Sequence, residues 1–180
     1  LTNRRQRQMC IRDRKKTLQN ILVLGAKSDI AAATARLYAE QSCALTLAAR
    51  ETDSLEKIKE DLLIRGAVNV DLLEVNLESV KSIKTFLKNL DPLPDLVLCA
   101  VGYLGEQSRT EKDFKEMERV IKANLTGPAM IFETLAQSMM ERGYGVLVGI
   151  SSVAGDRGRA SNYWYGSCLL YTSPSPRDMW

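Results

Sequence analysis

The chemistry open to this chain is limited first by a missing residue type, since none of its 180 residues is a histidine. Serine and cysteine nucleophiles are commonly activated by a neighbouring imidazole, so the absence excludes Ser-His-Asp and Cys-His catalysis. Acid–base catalysis must therefore use tyrosine, lysine, aspartate or glutamate. The stretch YWYGS, residues 163–167, offers two tyrosines for that task, Tyr163 and Tyr165.

The four cysteines, Cys10, Cys43, Cys99 and Cys168, form no CxxC pair. Because histidine is also absent, the ligand spacing of a zinc site is missing, and we predict no metal centre. Cys43 and Cys99 lie in apolar segments, which indicates reduced core thiols of a cytoplasmic protein.

Basic charge is concentrated at the start of the chain. The first sixteen residues hold five Arg, two Lys and one Asp, whereas the whole chain has a net charge of +3. Such an arm could bind nucleic acid or acidic lipid, but its composition favours an unstructured or foreign leader, which we assign to residues 1–15. No apolar run approaches about 18 residues, so we predict no membrane span. Because the basic charge lies in this leader, we also predict no nucleic-acid partner.

Apolar runs alternate with helical segments through most of the chain. We predict strands at 20–26, 44–50, 69–77, 94–102 and 145–152, and helices at 28–41, 51–66, 78–90 and 111–142. The last helix is expected to bury a face formed by Phe114, Met117, Ile121 and Leu125. This alternation predicts an α/β fold with a doubly wound, Rossmann-like, mainly parallel sheet of five strands.

The turn after the first strand, from Gly25 to Ser28, is where a doubly wound sheet receives a phosphate group. It has one glycine where such fingerprints have three, so an ordinary tight turn explains it about as well. At the end of the second strand, Ala48 and Ala49 stand where NAD sites usually have an acid, and Arg50 follows. A cation there suits the 2′-phosphate of NADP, although a solvated arginine at a helix start is the alternative.

Five segments together resemble the short-chain dehydrogenase/reductase family over residues 16–167. GAKSDIA (25–31) is similar to its TGxxxGxG turn, CAVG (99–102) to its NNAG motif and KANLTGP (122–128) to its helix with a catalytic asparagine. GVLVGISSVAG (145–155) resembles the strand before its catalytic serine, and YWYGS (163–167) the start of YxxxK. The resemblance implies an NAD(P)-dependent oxidoreductase that transfers a hydride between nicotinamide and a carbonyl or alcohol substrate.

Three catalytic residues follow from the resemblance. The family's serine precedes its tyrosine by thirteen positions, which selects Ser152 with Tyr165 and excludes Tyr163, because Ile150 lies thirteen before it. Ser152 would polarise the substrate carbonyl, and Tyr165 would exchange a proton with its oxygen. Asn124 would hold a water molecule in the proton relay; a core asparagine bonded to the backbone is the alternative.

The resemblance also implies a set of cofactor contacts, for NADP with NAD as the alternative. They are Gly25, Lys27, Ser28, Asp29, Ile30, Arg50, Asn76, Leu77, Cys99, Ala100, Val101 and Gly102. Asp29 and Ala31 replace glycines of the family turn, so a carboxylate is expected near the pyrophosphate. CAVG has no asparagine at either asparagine position of NNAG, and Asn76 stands where the family commonly has an aspartate.

The largest departure is Leu169, which stands where YxxxK has lysine. That lysine would favour the phenolate, so Tyr165 is expected to stay a neutral phenol. Pro174 and Pro176 are expected to prevent the helix that should start at this tyrosine. We therefore predict an incomplete dinucleotide-binding domain at residues 16–167, a non-native or disordered tail at 168–180, and no turnover by this fragment.

The segments RQMCIRDR (7–14) and CLLYTSPSPRD (168–178) resemble translated sequencing-library adapter. The parent protein is then expected to continue through further strands and to form a homo-oligomer. The alternative function is a non-catalytic NADP-binding sensor or scaffold of the same fold, which would lack a lysine four residues after Tyr165 in its gene. A different Rossmann-type enzyme, such as a methyltransferase, is disfavoured by the order of Asn124, Ser152 and Tyr165.

Overall fold

The structure, a computed structural model, describes residues 18–157 and 160–172. Its strands are β1 (Asn20–Leu24), β2 (Ala44–Ala49), β3 (Asn69–Glu74), β4 (Leu96–Cys99) and β5 (Val146–Gly149). The helices before β4 are α1 (Asp29–Glu40), α2 (Glu56–Ile64), which follows a 3-10 turn at Asp53–Leu55, and α3 (Val80–Asn89). Those after β4 are α4 (Gln107–Thr110), α5 (Phe114–Ile121), α6 (Gly127–Arg142), α7 (Val153–Asp156) and α8 (Tyr163–Thr172). A π-helical turn, Lys122–Thr126, joins α5 to α6.

The five strands form one parallel sheet in the order β3-β2-β1-β4-β5. In its register, Leu24 of β1 lies between Ala48 of β2 and Cys99 of β4. The carboxyl ends of these central strands therefore meet at one edge of the sheet. The predicted doubly wound α/β architecture is confirmed.

The central strand β1 is buried on both faces, as its continuous apolar sequence indicates. Ile21 and Val23 belong to a core cluster that includes the buried alanines of α1 and Leu62 of α2. Leu22 and Leu24 belong to a second cluster, on the other face. That second cluster contains the buried side chains of α3 and α6, namely Ile83, Phe86, Ile131, Leu135 and Met139.

The long helix predicted at 111–142 begins only at Phe114 and is interrupted once. Asp113 caps α5, with its Oδ1 accepting a hydrogen bond from the Lys115 amide at 2.9 Å, and the π-helical turn then changes the helical register. The expected buried face is therefore wrong: Phe114 is 83% exposed. In α5 and the π-helical turn, the residues that the structure buries are Glu116, Val120, Ala123 and Asn124.

The prediction that two prolines prevent a helix at Tyr165 is also wrong. Helix α8 continues to Thr172, and Cys168 and Leu169 are 3% and 4% exposed. Both prolines come after Thr172, so none of the residues described in α8 is a proline. Residues 173–180 of the expected tail, and the expected leader at 1–15, lie outside the described residues.

Within residues 18–157 and 160–172, no helix is both long and apolar enough to cross a membrane. Over the same part of the chain, no group of three or more His, Cys, Asp or Glu side chains could hold a metal ion.

At the amino ends of the strands, opposite the carboxyl ends, lies Asp95, which is 5% exposed. Its Oδ2 accepts hydrogen bonds from the amides of Gln19 at 2.8 Å and Asn20 at 3.0 Å. Its Oδ1 lies 3.3 Å from a guanidinium nitrogen of Arg142, the last residue of α6. One buried side chain thus joins the beginnings of β1 and β4 to the end of a helix.

Asp95→Ala is expected to lower the free energy of unfolding by about 3 kcal/mol, because it removes a charged acceptor from two amides and a buried partner from Arg142. Urea denaturation followed by circular dichroism measures the change. Asp71→Ala removes an exposed carboxylate as a control and should cost less than about 1 kcal/mol. Equal losses in the two variants would contradict the role assigned to Asp95.

Candidate functional site

The loops that follow β1 to β4 enclose a cavity of about 520 Å³. Four groups of residues, one at the carboxyl end of each of these strands, line the cavity, and Ala123 of the π-helical turn completes the lining. In the order β1 to β4, the groups are Gly25, Lys27 and Ser28; Ala48, Ala49, Arg50 and Glu51; Val75, Asn76, Leu77 and Glu78; and Ala100, Val101, Gly102 and Tyr103. Ligands of open parallel sheets bind at this edge. The volume lies in the range of small-molecule sites, roughly 300–1,000 Å³.

Most of the expected cofactor residues line this cavity: Gly25, Lys27, Ser28, Arg50, Asn76, Leu77, Ala100, Val101 and Gly102. Asp29, Ile30 and Cys99 do not. Asp29 begins α1 and is exposed, and Ile30 is 54% exposed. Cys99 belongs to the core, where burial raises the pKa of its thiol. The carboxylate of Asp29 is therefore not part of the cavity wall.

The turn after β1 requires glycine at its first position. Gly25 has φ +79°, and a Cβ atom there would lie 2.9 Å from both the Ala100 carbonyl oxygen and a Val101 methyl carbon. Its amide donates to the Ala48 carbonyl at 2.9 Å. Ser28, which precedes α1, makes no side-chain capping hydrogen bond. Because that side chain leaves the first amides of α1 uncapped, the turn fits a nucleotide phosphate.

Two cations line the cavity, and each is paired with a carboxylate that the sequence analysis did not select. Lys27 Nζ lies 3.1 Å from Glu51 Oε2, and Arg50 NH1 lies 3.3 Å from Glu78 Oε1. Glu51 directly follows Arg50, and Glu78 lies two residues after Asn76, so both acids were visible in the sequence. Their pairing depends on how the loops after β1, β2 and β3 come together.

Asn76 shapes the loop after β3 through local hydrogen bonds. Its side-chain Oδ1 accepts a hydrogen bond from the backbone amide of Glu78 at 3.0 Å. Its backbone amide donates a hydrogen bond to Ser82 Oγ at 2.9 Å. Ser79 Oγ accepts from the Ser82 amide at 3.3 Å and thereby caps α3. These bonds hold residues 76–78 at the cavity wall.

Tyr103, in the loop after β4, is the centre of a polar cluster beside α5. Its hydroxyl donates to Glu116 Oε1 at 2.5 Å and accepts from Arg119 NH1 at 3.1 Å. The Arg119 guanidinium lies 4.3 Å from the centre of the Tyr103 ring, and its Nε also contacts Glu78. The hydrogen bond to Glu116, followed by burial, raises the pKa of Tyr103 despite the nearby arginine.

Asn124 lies in the π-helical turn and is 3% exposed. Its Oδ1 accepts from the Tyr103 amide at 2.8 Å, and its Nδ2 donates to the carbonyls of Tyr103 at 2.7 Å and Val120 at 2.8 Å. The backbone thus engages both ends of the side-chain amide. This geometry favours the second interpretation of Asn124, a core asparagine bonded to the backbone, and its water-holding role stays a prediction.

Two contacting helices carry the predicted serine and tyrosine. Ser152 caps α7, where its Oγ accepts from the Ala154 amide at 3.2 Å. A Cβ atom on Gly166 would lie 2.6 Å from the Ala154 carbonyl oxygen, so glycine allows α8 to pack closely on α7. The Tyr165 hydroxyl lies 3.7 Å from the position that a Cβ atom on Gly102 would take. Tyr165 therefore places its hydroxyl beside the cavity wall.

Comparison with known proteins agrees with this geometry. The family model described as short chain dehydrogenase matches residues 19–168, which is most of the chain. The chain belongs to the short-chain dehydrogenase family. The predicted resemblance is thereby confirmed.

Individual relatives show how much of such a protein is present. An uncharacterized oxidoreductase of Streptomyces coelicolor is 34% identical over 155 residues, which are 83% of this chain and 60% of that protein. A short-chain dehydrogenase from Sphingobium yanoikuyae in complex with NADPH superimposes with a TM-score of 0.78 at 23% identity, covering 86% of this chain and 61% of the other. An NAD+-bound xylitol dehydrogenase gives 0.77 at 23% identity, with coverages of 86% and 60%. The chain thus spans about three fifths of the length of these proteins.

This short-chain dehydrogenase chain has an aliphatic residue at the YxxxK lysine position. Leu169 lies one helical turn after Tyr165 on α8 and is 4% exposed. Its carbonyl oxygen accepts a hydrogen bond from Ser151 Oγ at 3.4 Å. A leucine side chain brings no charge to the neighbouring phenol.

Tyr103 and Arg119 are further members of the site that sequence reasoning missed. Tyr103 directly follows the CAVG segment, so its position was a usable signal. Arg119 was not recognisable, because its partner Glu78 lies 41 residues away along the chain.

Tyr103 is expected to release its proton above the ordinary tyrosine pKa, and Glu116→Gln should lower its pKa because the charged acceptor is removed. Since the folded-state pKa is raised, the associated stabilisation is fully present below the ordinary pKa of about 10 and is lost as the pH rises through the raised value. NMR titration of tyrosine-labelled protein measures this, with Tyr103→Phe to assign the resonance. An unchanged titration in Glu116→Gln, matching that of the Glu118→Gln control, would refute the assigned cause.

Proposed function

We propose that the parent of this chain is an NADP-preferring oxidoreductase that transfers a hydride between nicotinamide and a carbonyl or alcohol substrate. The observation that carries the proposal is the Tyr165 hydroxyl beside Gly102 at the cavity wall. Ser152 directly precedes α7, the helix that packs against that of Tyr165. The Tyr165 hydroxyl thus adjoins the cavity without lining it, which leaves the cavity to the cofactor.

The residues present fit a dinucleotide along the whole cavity. The Gly25 turn and the start of α1 would hold the pyrophosphate. Lys27 and Arg50 would hold a phosphorylated ribose, which supports NADP over NAD. When bound, the nicotinamide supplies or accepts the hydride.

The chain's own polar groups would act on the substrate oxygen. Ser152 Oγ would donate a hydrogen bond to this oxygen and polarise the carbonyl. The Tyr165 hydroxyl would donate a proton to the oxygen during reduction and take it back during oxidation. Asn124 would act indirectly, because its side chain holds the backbone of Tyr103 and so the loop that contains Gly102.

The cellular setting is part of the same proposal. The substrate would be a small molecule, and the parent protein would be a homo-oligomer. Cys43 and Cys99 are buried free thiols, which supports a reducing compartment such as the cytoplasm.

The second candidate function is a non-catalytic NADP-binding sensor or scaffold. The observation that favours it is the buried, neutral Leu169 at the lysine position. Both functions predict NADPH binding by this chain, but only the oxidoreductase predicts that a restored lysine increases turnover.

The 180-residue chain is expected to bind NADPH and to show no turnover above a Ser152→Ala control, because the position one helical turn after Tyr165 holds the uncharged Leu169. Calorimetry measures the binding, and NADPH absorbance with cyclohexanone, benzaldehyde and an acetoacetate ester measures the turnover. A rate well above that control would overturn the expected inactivity. Absence of NADPH binding would overturn the proposed cofactor.

Leu169→Lys is expected to increase turnover at least about tenfold, because an ammonium group one helical turn away favours the phenolate of the catalytic tyrosine. Leu169→Met is the matched control, since it fills similar space without charge and should stay inactive. The melting temperature of each variant records whether α8 still packs. A folded Leu169→Lys protein that binds NADPH and remains at the control rate would favour the sensor.

A further inference from the structure

Glu78 is shared between two arginines at the cavity wall. Arg50, which follows β2, contacts its Oε1 through one nitrogen at 3.3 Å. Arg119, on α5, contacts both carboxylate oxygens through Nε, at 3.1 and 3.2 Å. The Glu78 side chain is 25% exposed, so these contacts are only partly screened by water.

The two arginines hold this carboxylate differently. Arg119 is itself fixed, because it stacks on the Tyr103 ring and donates to the Tyr103 hydroxyl. The Arg50 side chain is 56% exposed and makes the single, longer contact. Exposed pairs of that kind contribute little and exchange readily with other partners. Arg50 can therefore leave Glu78, whereas Arg119 keeps Glu78 in place.

This difference affects the choice of nucleotide, because Arg50 is the cation expected at the 2′-phosphate of NADP. A phosphate that binds Arg50 must either displace Glu78 from the guanidinium group or share this group with Glu78. Since Arg119 retains Glu78 nearby, the carboxylate also repels the phosphate. The 2′-hydroxyl of NAD is neutral, so it meets neither obstacle.

We infer that Glu78 is a specificity-determining residue, which competes with the 2′-phosphate for Arg50 and so reduces the preference of the cavity for NADP over NAD. Arg119 is a positioning residue in this arrangement, because it acts through Glu78. The inference rests on the proposed function, since it requires a nicotinamide dinucleotide in this cavity.

The test measures dissociation constants of NADPH and NADH for the whole chain and for Glu78→Gln, by calorimetry at one low ionic strength. Glutamine keeps the shape of the side chain and removes its charge. NADPH is expected to bind about three- to tenfold more tightly, the size expected when a partly exposed ion pair is released and a like charge is removed. The constant for NADH should change by less than about twofold.

A double-mutant cycle identifies the route of the effect. If Glu78 acts through Arg50, the gain in NADPH affinity from Glu78→Gln falls below about twofold in an Arg50→Gln background. An equal gain in both backgrounds would show general charge repulsion and overturn the inference. Glu118→Gln is the matched control, because Glu118 is also next to Arg119 but pairs with Lys122 and does not line the cavity. It should leave both constants unchanged.

The remaining outcomes separate this inference from the proposed function. Unchanged NADPH affinity in Glu78→Gln, or an equal gain for NADH, overturns the competition while the proposed function stands. Loss of both nucleotides in Glu78→Gln, with a lowered melting temperature, also overturns it, because Glu78 would then support the fold. If the unsubstituted chain binds neither NADPH nor NADH, the proposed function fails and the inference fails with it.

Discussion

The structure depends on the close approach of two chain segments at the carboxyl edge of the sheet, where Gly25 lies against the backbone of Ala100. A side chain at Gly25 would overlap the segment that follows β4. Because β1 pairs with both β2 and β4, this contact also sets how near the loops after those strands can come. The cavity forms where they meet, and α1 begins beside it with its first amides uncapped by Ser28.

The charges around this cavity are arranged as partners. Lys27 and Arg50 bring positive charge from the loops after β1 and β2, and Glu51 and Glu78 bring the same amount of negative charge. An anionic ligand therefore exchanges partners with existing carboxylates, and it does not enter a site of free cations. Affinity then depends on how firmly each carboxylate is held, which differs between the more exposed Glu51 and Glu78.

The loop after β4 connects the cavity to the helix that contains Tyr165. Asn124 binds the backbone of Tyr103 from the π-helical turn, and Tyr103 binds Glu116 and Arg119 of α5. One residue earlier in this loop, Gly102 lies next to the Tyr165 hydroxyl. The π-helical turn therefore positions a loop that lines the cavity and lies next to the Tyr165 hydroxyl.

The amino-acid sequence was enough to predict the parallel sheet, because strands buried on both faces leave apolar runs such as residues 20–24. It also located the Gly25 turn and the spacing of Ser152 and Tyr165, since these are short-range patterns. Tertiary packing was needed to show that Phe114 is exposed and that α8 extends past Leu169. It alone joined Glu78 to Arg50 and Arg119, which are 28 and 41 residues away. Local patterns report whether a segment is buried, whereas an ion pair depends on which distant segments the fold brings into contact.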